Sequence, residues 1–289
     1  MGKIYTALGL MSGTSMDGVD ASIIQTDGES KYKAILDKYF EYPSSIYQNL
    51  TKLRDKIKSS KDLKKHQKQI KTVEKEITIF HAKSVNEILK KKKVNVDFIG
   101  FHGQTIFHNA EEKITKQIGD GKLLSKLTKK TIVYDFRQND LKNGGEGAPL
   151  TPIFHKMLSE KFNLAQKKIS PFTQGTFINL GGITNITRID SDFNIFAQDC
   201  GPGMCLIDKW MRLNSKNKID KDGKVASKGN IKNEIVRDYI MKTHKLLENY
   251  RGSLDVNDYN LSLVKNLSFE DGAATLTELT AVNTLEWAE

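Results

Sequence analysis

A chain of 289 residues with 38% hydrophobic content can bury one or two sizeable cores, and two domains are the natural count. No run approaches the ~18 apolar residues of a membrane span, and no basic-then-apolar export signal opens the sequence, so neither segment is expected. The net charge of +10 rests on lysine, since arginine stands only at 54, 137, 188, 212, 237 and 251. Many lysines lie between Lys52 and Lys93 among Leu63, Ile70, Val73, Ile77, Ile79 and Phe80 at helical spacing. That pattern describes a solvated helix face rather than a nucleic-acid stripe. Neither nucleic acid nor membrane is expected as a partner, and a homodimer is compatible with the sequence. Two cysteines, Cys200 and Cys205, make neither a disulfide framework nor a zinc site, and a cytoplasmic location fits.

In chain order, Ile4–Met11 and Ala21–Gln25 read as strands around the polar turn Gly13–Asp20, and a third strand, Tyr32–Tyr42, follows a turn at Asp27-Gly28. Ser44–Lys58 and Leu63–Leu89 read as helices. Val96–Phe101 is a buried strand leading into His102-Gly103-Gln104-Thr105. Lys122–Lys129 is a short amphipathic helix, and Thr131–Phe136 a strand ending at Arg137. A Gly-rich loop at Gly144–Pro149 precedes a helix at Leu150–Glu160 and a linker at Lys161–Gln174. Strands then return at Phe177–Leu180, Ile186–Ile189 and Asn194–Gln198, with Gly181–Asn185 as the first turn between them. Helices at Leu206–Leu213, Asn233–Asn249 and Gly272–Glu289 complete the chain.

The tip Gly13-Thr14-Ser15-Met16-Asp17-Gly18-Val19-Asp20 gathers backbone N–H groups and hydroxyls, a surface suited to phosphate oxygens. It lacks the Gly-Lys-Ser/Thr and the strand-to-helix passage of a Walker loop. Taken singly it reads as an ordinary hairpin turn. The same strand–turn–strand–turn–strand order recurs from Thr176, with Gly181, Gly182, Thr184 and Asn185 in its first turn. Repetition points to a duplicated α/β domain with one phosphate loop per half, divided as residues 1–160 and 161–289.

Eight motifs stand in order along the chain: Met11–Asp20, Gly100–Thr105, Asp135-Phe136-Arg137, Gly144–Leu150, Asn179–Asn185, Asp199–Gly203, Cys205–Asp208 and Asp271–Thr277. Together they resemble the anhydro-N-acetylmuramic acid kinase family, bacterial enzymes of cell-wall recycling. The resemblance implies the duplicated ribonuclease H-like, two-domain fold of actin and hexokinase, with ATP and Mg²⁺ as cofactors and a bicyclic sugar acid as substrate. In that family water attacks the anomeric carbon, the 1,6-anhydro ring opens, and the released O6 takes the γ-phosphoryl group. The family's catalytic base corresponds to Asp199, whose bare-sequence alternative is a turn-capping role at a strand end. Arg137 would meet the sugar's lactyl carboxylate as a bidentate fork; the alternative is a surface ion pair with Asp135 or Asp140. Thr105 and Gln104 would bind the sugar, beside His102. His102 and His108 read as loop or core histidines rather than a metal pair. Asp17 and Asp20 would meet Mg²⁺ through water.

This chain departs from the family pattern at Met204, where relatives carry Asn, and at Tyr250-Arg251-Gly252-Ser253, where they carry Pro-Pro-Lys-Ser. The family's Gly-Gly-Gly adenosine loop and sugar-contacting Glu do not follow Gly272, so the second domain is expected to be incomplete. Weak ATP binding, slow turnover and aggregation through an exposed face of Leu276, Leu279, Val282 and Leu285 are the corresponding expectations. The competing reading is a truncated, non-catalytic remnant that binds sugar or nucleotide weakly.

Overall fold

Strand β1 (Tyr5–Ser12) turns back into β2 (Gly18–Thr26), and β2 into β3 (Tyr32–Glu41), forming an antiparallel meander with Leu10 opposite Ala21 and Val19 opposite Phe40. The computed structural model describes residues 2–92, 94–109, 112–165, 175–190, 192–249 and 254–288. These form two compact units, Met1–Ala148 and Pro149–Glu289. The sequence division after residue 160 differs because the helix there, α6 (Pro152–Ala165, defined below), packs on strands of the second unit. Of the expected linker, residues 161–165 continue that helix and residues 166–174 lie outside the described residues.

In the first unit β4 (Phe98–Asn109) runs parallel to β1 on one edge and parallel to β6 (Ile132–Tyr134) on the other. Its outer half pairs antiparallel with β5 (Ile114–Ile118), giving the order β3-β2-β1-β4-β5 with β6 beside β4. Helices α1 (Ser44–Arg54), α2 (Ser60–Lys65) and α3 (Gln67–Lys92) connect β3 to β4. The expected first helix stops at Arg54, and Ser59 with Asp62 forms a capping box that starts α2 afresh. Leu50, Leu53, Val73, Ile77, Val85 and Ile88 bury against Leu8, Leu10, Ile23, Ile99 and Phe101. Each such side chain contributes about 1.5–3 kcal/mol relative to exposure. Lys68, Lys71, Lys75, Lys83 and Lys90 of α3 face solvent together with Ile79, which the periodic pattern had placed inward.

Helix α4 (Gly121–Thr128) is capped by Asp120, whose carboxylate accepts from Leu123 N at 2.9 Å. One helix was not foreseen. β6 ends at Tyr134 because Asp135 takes a left-handed conformation (φ 64°), which Asp tolerates better than most residues. The chain then enters α5 (Phe136–Lys142), so Arg137 sits in a first helical turn and not at a strand end.

The second unit opens with α6 and continues through β7 (Gly175–Leu180), β8 (Ile183–Ile189) and β9 (Ile195–Pro202) as an antiparallel meander. Helices α7 (Cys205–Asn214), α8 (Asn233–Asn249) and α9 (Phe269–Ala288) cover it. Leu206, Ile207, Trp210, Val236, Tyr239, Leu276 and Leu279 make the core. The exposed face expected on α9 is not there: Leu276 and Leu279 are wholly buried and Val282 packs on the core, leaving only Leu285 of the four turned outward. Gly272 in the first turns of α9 lets the indole of Trp210 lie where a Cβ would sit, and Trp210 Nε1 donates to Phe269 O at 2.9 Å.

Candidate active site

Each unit carries one part of the expected machinery. In the first, the turn proper is Gly13–Asp17, because β2 already begins at Gly18. Val19 is therefore a core residue, wholly buried, and Asp20 stands exposed on the strand. Met16 is also buried, in a left-handed conformation (φ 58°) costly for a non-glycine residue. Its side chain anchors the turn in the core, so any ligand contact it makes is through backbone. Thr14, Ser15 and Asp17 are exposed at the tip, where Ser15 Oγ donates to Asp17 Oδ1 at 2.6 Å. Gly18 is required, since a Cβ there would lie 2.4 Å from Phe40 O and 2.6 Å from the Tyr39 ring. Burial, then the charge of Asp17, raises the carboxyl of Asp20 above its ordinary value.

Behind this turn lies a polar cluster. Ser12 Oγ is 2.8 Å from Gly18 O, 2.8 Å from Gln104 Oε1 and 3.0 Å from the Tyr42 hydroxyl. Gln104 Nε2 donates to Gly13 O at 2.8 Å and to Thr105 O at 3.3 Å. Gln104 is wholly buried, and its amide is committed to the turn at both ends. This differs from the sugar contact expected of it.

Thr105, half-buried on β4, accepts from Gln117 Nε2 at 3.1 Å. Beside it, Arg137 donates from Nε (3.1 Å) and Nη2 (2.9 Å) to His102 Nε2, and from Nη1 to Gly147 O at 2.7 Å. A guanidinium only donates, so His102 Nε2 is the acceptor and Nδ1 carries the proton that Gly103 O receives at 2.8 Å. Burial first, and the Arg137 charge second, push His102 down to about 4, keeping the ring neutral. Arg137 thus pairs with a histidine and a carbonyl, while Asp140 accepts from Gly147 N at 2.7 Å and shapes the loop that Arg137 holds. Arg54, at the end of α1, reaches the turn as well, with Nη1 3.4 Å from Thr14 O.

In the second unit the turn is only Gly181-Gly182, because β8 starts at Ile183. Thr184 is wholly buried and Asn185 half-buried, directly opposite Asp199 on β9. The turn is closed by backbone: Gly203 N donates to Gly182 O (3.0 Å), Met204 N to Gly181 O (2.8 Å) and Cys205 N to Gly182 O (3.3 Å). These carbonyls cap α7, whose first residues lack a side-chain cap. Met204, the family departure, is 38% exposed and serves as the backbone N-cap. The other departure, Tyr250–Ser253, lies outside the described residues. Asp199, half-buried, accepts from Leu254 N at 2.6 Å, a charge-assisted bond from the segment just beyond α8. A cleft of about 450 Å³ lined by Leu180, Met204, Ile207, Thr280, Thr284 and Leu285 borders the turn.

Sequence reasoning missed Ser12, Tyr42, His102 as a hydrogen-bond acceptor, and the Leu254 N–H. Only the presence of Ser12 and His102 inside quoted motifs hinted at a role. Among the described residues no helix is long and apolar enough to cross a membrane.

A mixed α/β chain with two glycine-rich hairpin turns and a fixed carboxylate beside the second is consistent with an ATPase-like kinase. The family model described as anhydro-N-acetylmuramic acid kinase matches residues 5–287. The chain is 52% identical over 284 residues to the anhydro-N-acetylmuramic acid kinase of Pelagibacter ubique, covering 98% of this chain and 74% of that protein. Proteins of the same name from Agrobacterium fabrum (38% over 291 residues) and Rhizobium etli (35% over 291 residues) match 100% of this chain and 76% and 77% of their own lengths. The chain belongs to the anhydro-N-acetylmuramic acid kinase family.

Proposed function

We propose that the chain is an ATP-dependent kinase of anhydro-N-acetylmuramic acid. Water adds to the anomeric carbon, the bond from that carbon to O6 breaks, and O6 takes the γ-phosphoryl group, giving N-acetylmuramic acid 6-phosphate and ADP. The observation that carries the reading is Asp199: its carboxylate is fixed by the Leu254 N–H on the strand beside the second glycine turn. Held there, it takes the proton of the attacking water and its charge favours the oxocarbenium-like carbon. Arg137, oriented by His102 and Gly147, meets the sugar's lactyl carboxylate, and Thr105 hydrogen-bonds the sugar. The glycine turn of each unit, Gly13–Gly18 in the first and Gly181-Gly182 in the second, offers backbone N–H groups suited to phosphate oxygens. The apolar cleft at Leu180 and Ile207 offers the nucleotide's base a wall.

ATP supplies the phosphoryl group, and Mg²⁺ would neutralise phosphate charge. Asp17 and Asp20 suit that cation: their charges are near enough to raise Asp20, and they present hard oxygen ligands. The reading includes a duplicated ribonuclease H-like architecture, supported by two three-stranded meanders, the first extended by parallel β4 and β6. It includes a reducing cytoplasm, supported by two free cysteines whose thiols burial pushes up to about 12. Asp199, Arg137, Thr105 and both glycine turns are present, which disfavours the remnant reading.

The test is a turnover assay of the purified chain with ATP and the anhydro sugar, the phosphorylated product identified by mass. Asp199→Asn should keep both ligands bound and lower turnover by about 100-fold or more. Equal rates for variant and parent would remove Asp199 from the chemistry. Absence of phosphorylated sugar with the parent would overturn the reading itself.

A further inference from the structure

The buried cluster behind the first turn has a direction built into it. Gln104 Nε2 reaches Gly13 O from beneath, from a position with no solvent exposure, while Thr14 and Ser15 stand on the exposed side. A trans peptide points its C=O and its N–H to opposite sides. Holding Gly13 O inward therefore turns the Thr14 N–H outward, toward the side where an anion can arrive. Met16 N donates to the same carbonyl at 3.1 Å, which closes the turn around this one oxygen.

The rest of the cluster holds Gln104 in that orientation. Its Nε2 must face Gly13 O, since a carbonyl needs a donor, so Oε1 faces Ser12. Ser12 has one proton for two acceptors, Gly18 O and Gln104 Oε1, and the Tyr42 hydroxyl is left as the donor to Ser12 Oγ. Ser12 and Gly18 are the two feet of the turn, so one hydroxyl ties them together and ties both to β4. Ser12 and Tyr42 are as buried as Gln104, and a buried amide left unpaired here would be costly. The bulge between Leu10 and Ser12, where β1 slips in register against β4, is what brings Ser12 opposite Gln104.

We propose that Gln104, braced by Ser12 and Tyr42, is a positioning residue for the nucleotide: it sets the Gly13–Thr14 peptide so that its N–H faces the phosphates. This rests on the reading that ATP phosphates meet the first turn. The neighbour of Gln104 on β4, Thr105, belongs to the sugar side, so one strand carries both duties on successive residues.

The experiment is calorimetric titration of the full chain and of Gln104→Met and Tyr42→Phe with a non-hydrolysable ATP analogue and, separately, with the anhydro sugar. Gln104→Met keeps the volume and loses the donor, and the Kd for the analogue should rise on the order of ten-fold. Tyr42→Phe, which leaves the Gln104 amide in place, should raise it by a smaller factor, about two- to three-fold. Sugar affinity should stay within about two-fold in both. A rise in sugar Kd with nucleotide binding unchanged would return Gln104 to the sugar and overturn the proposal. So would unchanged affinities for both ligands with only a lowered melting temperature, the mark of a merely structural cluster. If Gln104→Met does not fold, the Tyr42→Phe titration decides alone: an unchanged analogue Kd overturns the proposal. A parent chain that binds no analogue would remove the nucleotide reading and this inference with it, whereas a binding parent with equally binding variants removes the inference alone.

Discussion

The two glycine-rich turns are built from similar sequence and held by different means. The first is fixed largely by side chains from distant segments: Ser12 and Gln104 grip its carbonyls, the Tyr42 hydroxyl braces Ser12, and Met16 plugs it into the core. The second is fixed by backbone meeting backbone, its carbonyls accepting three N–H groups from Gly203, Met204 and Cys205 a short way along the same meander. A side-chain clamp can be weakened one hydrogen bond at a time. A backbone clamp depends on two chains approaching without a Cβ between them, and it fails abruptly when one is added.

The sharpest way to break that contrast is Gly203→Ala. A Cβ at Gly203 would lie 2.3 Å from Gly181 O and 3.1 Å from Thr184 Oγ1, and backbone cannot step aside as a flexible side chain can. We expect a loss of about 3 kcal/mol in the stability of the second unit, read by denaturant unfolding. Gly13→Ala in the first turn, where the nearest atom is Ser15 Oγ at 3.8 Å, should cost less than about 0.5 kcal/mol. Comparable losses in the two variants would show that the turns do not differ in this way.

The contrast also explains what the sequence disclosed. Strand–turn–strand order and the glycines of both turns were legible, because a close backbone approach forces glycine at the position itself and the signal is local. The helix Asn233–Asn249 was legible in full for the same reason, its apolar period being uninterrupted. The side-chain clamp was not legible, since Ser12 and Gln104 are separated by 92 positions and nothing local to either announces the pairing. Gln104 read as a sugar ligand because a polar residue beside Thr105 on a strand end looks free until the fold buries it. Likewise α5 escaped notice: one left-handed Asp135 turned a strand exit into a helix entry. The face of α9 read as exposed because it was assigned to strands of an incomplete domain, whereas it packs on Trp210 and Tyr239 of α7 and α8.

Acid provides a second, smaller probe of the same difference, acting on the first unit. His81 is wholly buried on α3 with Nδ1 2.7 Å from Ile77 O, edge-on to the rings of Tyr42 and Phe101, and burial pushes it down to about 4 from an ordinary 6.5. His102 is pushed the same way. Both are neutral in the fold, so the unfolded chain takes up protons first as pH falls. Stability from these groups is fully present above about pH 6.5 and is lost as pH drops toward 4. At pH 5 His81 alone should lower stability by about 1–2 kcal/mol relative to pH 7. Urea unfolding at the two pH values measures it, and His81→Leu should flatten the slope; an unchanged slope in that variant would exclude His81 as the source.

The smallest effect asks whether the backbone clamp has any side-chain help. Thr280 on α9 donates from Oγ1 to Gly203 O at 2.7 Å and is buried, so the one carbonyl of Gly203 is braced from beneath while its N–H closes the turn. Thr280→Val removes the hydroxyl at nearly constant volume and leaves that carbonyl without this donor. The expected cost is about 1 kcal/mol, less than a third-partner loss in a charged pair and well below the steric cost at Gly203. Thr280 also lines the cleft assigned to the base, but the three backbone bonds at Gly181 and Gly182 persist, so the affinity for an ATP analogue should fall less than the roughly ten-fold predicted for Gln104→Met in the first turn. If Thr280→Val weakened nucleotide binding as much as Gln104→Met did, both turns would depend on side-chain clamps, and the distinction between them would be one of distance along the chain alone.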